Sequence, residues 1–187
     1  MNKNFLRLTF ILFIICAIST ALVVAAYDYT NSIIADRTAA KIAEGYKQVL
    51  PQADKLEKLP VPANSPIKEI YRSTKDSKTN GFVYTVAPKG YAGEITIMVG
   101  VENPSLKITG VKVLSQQETP GLGSKCTEPA FLDQFLNKDL HNSLNVSKNA
   151  KQPSEIQAIT SSTITSKAVV SGINLVCTHL SEHHPDK

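Results

Sequence analysis

From Leu8 to Ala26 the chain reads LTFILFIICAISTALVVAA, 19 residues without a charge. In lipid a spanning segment must satisfy its own backbone N–H and C=O groups, so such a run is confined to helix, and about 20 residues cross a hydrocarbon layer of about 30 Å. Lys3 and Arg7 precede the run, and Tyr27, Asp28 and Tyr29 follow it. The basic flank is expected to stay cytoplasmic, with the tyrosines at the opposite interface and residues 30–187 outside the cytoplasm. Val24, Ala25 and Ala26 would also suit signal-peptide cleavage. The run nevertheless exceeds the roughly 7–15 apolar residues of a signal sequence, which favours an uncleaved single-pass anchor in the inner (cytoplasmic) membrane.

The formal charge of +4 resides partly in that anchor, because Lys3 and Arg7 precede it and all 16 acidic residues follow it. What remains is nearly neutral, with lysines scattered and no basic run interleaved with aromatics, so nucleic acid is not an expected partner. The three cysteines lack CxxC spacing, and no metal site is expected. Cys126 and Cys177 are expected as two separate buried thiols, with a disulfide as the alternative. His179, His183 and His184 belong to a terminal segment expected to be mainly solvated.

Beyond the anchor, Ala35, Ala39, Ile42, Ala43, Tyr46, Val49 and Leu50 recur at helical spacing, predicting an amphipathic helix over 31–50 that Pro51 ends. The proline-bearing stretch LPVPANSP reads as an extended lead-in, and the folded domain is expected from Ile67. There the pattern changes to period two, at Phe82, Tyr84 and Val86, at Ile95, Ile97 and Val99, and at Leu106, Ile108, Val111 and Val113. Turn residues separate these groups, predicting an antiparallel meander with one buried face. A short helix is expected over 128–137, burying Phe131, Phe135 and Leu132 or Leu136, and a strand over 155–160. Val169, Ile173, Val176 and Leu180 mark a final helix. The expected fold class is α+β: a single N-terminal transmembrane helix, then an antiparallel sheet with flanking helices. The expected divisions are a stub and anchor at 1–29, helix and lead-in at 30–66, the domain at 67–182, and a polar tail at 183–187.

Two segments differ from ordinary core. Glu118-Thr119-Pro120-Gly121-Leu122-Gly123 gives a tight turn whose backbone can approach a ligand closely, although a plain surface turn would read the same way. Residues 160–166, Thr-Ser-Ser-Thr-Ile-Thr-Ser, place six hydroxyls at a predicted helix start. Free N–H groups there favour phosphate, and serine and threonine are also simply good caps.

Together these segments resemble the covalently flavinylated FMN-binding domain of Rnf-type G subunits and of the C subunit of sodium-pumping NADH:quinone reductases. The resemblance also includes the N-terminal anchor, Val49-Leu50-Pro51, the run from Lys89 to Gly93, the strand Ile95 to Gly100, Ile164-Thr165-Ser166 and Ala168-Val169. It implies an FMN joined by a phosphoester to a threonine and installed from FAD by a flavin transferase. The family's pattern Asp-x-x-Ser/Thr-Gly-Ala-Thr falls on residues 157–163 and makes Thr163 the acceptor. Gln157, Ser161 and Ser162 stand where the pattern has Asp, Gly and Ala, and Gln116 stands where the family usually has His.

The resemblance further implies that Glu118, Thr119, Gly121, Leu122 and Gly123 line the flavin; Thr160 and Thr165 offer hydroxyl donors to its phosphate, Ser162 is a further candidate on the same turn, and Tyr91 is a candidate contact that would serve equally as packing. No catalytic acid, base or nucleophile is expected, because the flavin supplies the chemistry. The implied function is electron transfer within a ferredoxin- and NAD-linked ion-translocating oxidoreductase complex, with no complete activity in the isolated chain. Its partners would be other subunits of the complex, the transferase and membrane lipid. The ion path is expected elsewhere, since the span carries no carboxylate. The alternatives are an anchored docking subunit without flavin and a secreted FMN-binding carrier.

Overall fold

Helix α1 (Lys3–Val49) contains the apolar run. The computed structural model describes residues 3–53, 55–61, 65–75 and 78–183. They divide into two compact units, Met1–Lys41 and Ile42–Lys187. In the first, Arg7–Tyr27 is long and apolar enough to cross a membrane. Phe10, Phe13, Leu22 and Val23 are all exposed, an apolar surface that calls for lipid. The expected amphipathic face is described only at Tyr46, Val49 and Leu50; the side chains of Ala35, Ala39, Ile42 and Ala43 lie outside the described residues.

The second unit is built on five antiparallel strands in sequential order: β1 (Lys55–Leu59), β2 (Ile67–Lys75), β3 (Lys78–Val86), β4 (Thr96–Glu102) and β5 (Ile108–Ser115). Strands β3, β4 and β5 match the period-two reading; β2 was not among the expected strands, and two further corrections apply. First, Lys55–Leu59 lies within the expected lead-in yet pairs with β2 from Lys55↔Thr74 to Leu59↔Ile70. Its residues are mostly exposed, so they carry little hydrophobic alternation. Cross-strand ion pairs, Lys58 with Glu69 at 2.6 Å and Arg72 with Glu57 at 2.8 Å, decorate this edge.

Second, the sheet is covered on both faces. On one, Phe82, Tyr84, Ile97, Val99 and Ile108 pack with Val169, Ile173, Val176 and Leu180 of helix α3 (Thr163–His183). On the other, Val83 and Met98 lie beneath Val49 and Leu50, with Tyr46, Tyr71 and Leu114 around them. Close approach is possible because Gly100 and Gly110 have no side chains. A Cβ on Gly100 would stand 2.1 Å from the Val49 carbonyl oxygen, and one on Gly110 2.7 Å from Val49 Cα. Thr109 Oγ1 donates a hydrogen bond to the same carbonyl. The final turn of α1 is therefore part of the domain core.

The helix expected over 128–137 is split into α2 (Pro129–Leu132) and a 3₁₀ turn at Asp133–Phe135. Phe131 and Phe135 are buried as expected, whereas Leu132 is half-buried and Leu136 exposed. The strand expected over 155–160 is only β7 (Glu155–Gln157), which pairs in parallel with a strand absent from the sequence reading, β6 (Asn145–Ser147). Three-residue strands offer too few positions for a period to register.

Cys126 and Cys177 are buried free thiols. Burial, aided by the Glu118 charge, pushes the Cys126 thiol up to about 11, which makes it a packing residue rather than a reactive one. His179 faces Tyr84, 3.3 Å from its hydroxyl; the side chain of His183 and the whole of His184 lie outside the described residues.

Candidate functional site

Three loops converge at one end of the sheet. The first is the β3–β4 connection, where Lys89 and Glu94 bridge and Gly90 N–H donates to Gly93 C=O at 2.7 Å. This tight closure leaves Tyr91 70% exposed at its tip. The second follows β5, where Leu122 and Ser124 N–H both donate to Thr119 C=O. Gly121 takes φ +74°, a left-handed conformation that favours glycine, and its N–H donates to Ser124 Oγ at 2.9 Å. A 3₁₀ turn, Gly123–Thr127, then leads to α2.

The third is the entry to α3. Ser162 N–H donates to Ile159 C=O, and Ser166 N–H begins the helical ladder by donating to Ser162 C=O, both at 3.0 Å. The buried Ser166 hydroxyl pins this turn, donating to Ser162 C=O at 3.0 Å and accepting from Ile159 N–H at 2.9 Å. The amides of Thr163, Ile164 and Thr165 precede the first helical bond, so no carbonyl within the helix accepts from them. They lie at the positive end of a 21-residue helix.

Between the loops lies a cleft of about 570 Å³, within the usual range for a small-molecule site. Its lining includes Tyr91, Glu118, Thr119, Leu122, Gly123, Ser162, Thr163 and Thr165, joining two segments about 40 residues apart that the sequence singled out. Gly121 and Thr160 belong to those segments without lining the cleft. Ser161 and Ile164 line it and were not among the expected contacts. Hydrophobic periodicity did not flag Ile164, which precedes the apolar series of α3 and stands exposed in its first turn.

The hydroxyls are not equivalent. Thr163 is exposed, while Ser162 and Thr165 are buried. Thr165 Oγ1 donates to Glu118 Oε2 at 2.5 Å, and Ala92 N–H donates to Glu118 Oε1 at 2.9 Å. Gln116 Oε1 accepts from Glu118 N–H at 2.6 Å. Gln157 lies outside the cleft, its N–H held by Gln134 Oε1 at 2.7 Å.

Ser161 has φ +63°. A side chain in this left-handed region costs about 1–2 kcal/mol, part of which glycine would lose again through its greater freedom when unfolded. Ser161→Gly is therefore expected to raise the melting temperature of the full chain by about 2–4 °C, the shift for about 1 kcal/mol at this size. An unchanged or lower melting temperature would show that the serine is not strained there.

Residues 90–177, which contain the second and third loops and most of the first, match the model of the FMN-binding domain. The chain is 33% identical over 160 residues to the G subunit of the proton-translocating ferredoxin:NAD(+) oxidoreductase complex of Clostridium ljungdahlii, covering 86% of this chain and 83% of that one. The chain belongs to the G-subunit family of ion-translocating oxidoreductase complexes. The sodium-translocating counterpart from Acetobacterium woodii is 32% identical over 188 residues, covering 92% of this chain and 90% of its own.

Two solved structures share the fold. NqrC of Shewanella oneidensis aligns at a TM-score of 0.51 with 23% identity, covering 72% of this chain and 74% of its own. The C subunit of the Na(+)-translocating NADH-quinone reductase of Parabacteroides distasonis aligns at 0.57 with 19% identity, covering 75% and 81%. Membership of the G-subunit family and the apolar helix fit a membrane-anchored protein.

The cleft suits the FMN of this domain family. Tyr91, Leu122 and Ile164 are exposed apolar surfaces for a flat ring. The three leading amides of α3 and the Thr163 hydroxyl suit a phosphate. The cleft's single acidic side chain, Glu118, has both oxygens engaged within the protein.

Proposed function

We propose that this chain is an electron-carrying flavoprotein subunit of a membrane-bound, ion-translocating ferredoxin:NAD(+) oxidoreductase complex of the Rnf type, with FMN esterified to Thr163. The observation that carries this reading is the exposed residue Thr163 at the head of α3, lining a cleft shared with the 118–123 turn. FMN, when bound, supplies one- and two-electron transfer. The protein's part is to tether and orient it: the amides of residues 163–165 face its phosphate, aided by a helix dipole worth about 0.3–1 kcal/mol. Leu122, Ile164 and Tyr91 exclude water from its ring. Glu118, Thr119, Gly121, Gly123, Thr160, Ser162 and Thr165 complete or support the pocket.

Attachment forms a bond from Thr163 Oγ to the flavin phosphorus and breaks the pyrophosphate bridge of FAD. AMP leaves with the hydroxyl proton, and a flavin transferase is the catalyst. The basic flank before the apolar helix supports a cytoplasmic N-terminus, a single pass and an extracytoplasmic domain. The other subunits of the complex supply the donor, the acceptor and the ion path.

The test is the intact mass of the full chain produced with an active flavin transferase, compared with Thr163→Val. The wild type is expected to gain the mass of one FMN less one water, with flavin fluorescence surviving denaturation, and the variant to gain neither. The same addition on the variant would move the acceptor. No addition on the wild type, with the transferase active on another substrate, would favour a docking subunit without covalent flavin.

A further inference from the structure

We infer that Glu118 is a positioning residue that fixes the flavin-accepting turn, an inference that rests on the reading of this cleft as the FMN site. Its side chain is buried at the base of the cleft, only 5% exposed. One oxygen accepts from Ala92 N–H at 2.9 Å and the other from Thr165 Oγ1 at 2.5 Å. A single carboxylate thus joins the β3–β4 loop, the 118–123 turn and the first turn of α3, which are remote from one another in sequence.

The group also has no room to turn. A Cβ on Gly90 would stand 2.6 Å from Oε1, and one on Gly123 2.7 Å from Oε2. Its own N–H is held by Gln116 Oε1. With both oxygens engaged, Glu118 acts on the cofactor through other residues: through Ala92 on the neighbouring Tyr91, and through Thr165 on Thr163, two positions earlier on the same turn. Hydrogen bonds to a buried charged group are among the stronger ones in proteins, and removing one partner strands the other in a dry site.

The experiment measures the rate of flavin incorporation into the full-length, membrane-inserted chain, with FAD and an active transferase, alongside its melting temperature. Thr165→Val is expected to slow incorporation about tenfold, the size of losing one hydrogen bond to a charged group, and Glu118→Ala, which loses two, by at least as much. Thr165→Ser, which restores the hydroxyl, should recover most of the rate. Glu118→Gln should do so as well, because its amide can accept from Ala92 and donate to Thr165. Thr165→Val loses little packing volume, so it reports on positioning even where Glu118→Ala fails to fold. Wild-type incorporation in Thr165→Val, or a rate in Thr165→Ser as slow as in Thr165→Val, would overturn the inference. A wild-type chain that takes up no flavin would instead overturn the reading of the site.

Discussion

Gly100→Ala is expected to lower the melting temperature of the full chain by about 10 °C. The added carbon would stand 2.1 Å from the Val49 carbonyl oxygen, 2.6 Å from its carbon and 2.7 Å from Thr109 Oγ1. Two of these are backbone atoms of a buried helix end, which cannot turn aside as a side chain would. Relief requires the last turn of α1 to lift from the sheet, uncovering Val83 and Met98. Overpacking of this kind costs about 3 kcal/mol, the upper end of the usual range, and each kcal/mol shifts a domain of this size by about 2–4 °C. Gly93→Ala is the control, since its nearest neighbour is the Gln117 side-chain oxygen at 3.3 Å, on an exposed residue. Thermal melts in detergent check both; equal small shifts would mean that the helix end is not seated as described.

Gly123→Ala is expected to slow flavin incorporation at least about tenfold, leaving membrane insertion intact. Its Cβ would meet Glu118 Oε2 at 2.7 Å, Glu118 Cβ at 2.8 Å and Thr165 Oγ1 at 2.8 Å. The new methyl group therefore enters the hydrogen bond between the two sides of the cleft. A displacement of about 1 Å in a positioned site commonly costs about a hundredfold in rate, so tenfold is a conservative expectation. Covalent flavin fluorescence per chain, normalised to membrane-bound protein, measures it. Wild-type loading would show that the floor of the cleft can shift without disturbing Thr163.

Much of the architecture was legible because its elements are long and periodic. Val169, Ile173, Val176 and Leu180 specified α3, and all four are buried against the sheet. Phe82, Tyr84 and Val86 specified the inward face of β3. The residues between them, Val83 and Thr85, are buried too. What covers that face is the end of a helix more than 30 residues earlier, and local periodicity cannot report so distant a contact. β1 was hidden for the opposite reason: an exposed edge strand has little hydrophobic pattern to show.

The cleft divides similarly. Composition alone marked residues 118–123 and 160–166 as unusual, and resemblance gave them a shared purpose. Neither could show that the Thr165 hydroxyl is held by Glu118, or that Ser161 takes a glycine-like φ. Side-chain direction at a helix's first turn depends on the preceding loop, and here the Ser166 hydroxyl fixes that loop from within.

The seating of Val49 on Gly100 and Gly110 also decides where the chain can be shortened. A cut just beyond the apolar run, at Tyr29, retains the turn that closes the sheet's second face. A cut after Pro51 removes it and leaves Val83, Met98 and two stretches of bare strand backbone facing water. An exposed apolar face of that kind invites association with other chains. The boundary between what lipid must hold and what the domain needs for solubility therefore falls inside one helix, upstream of the first strand.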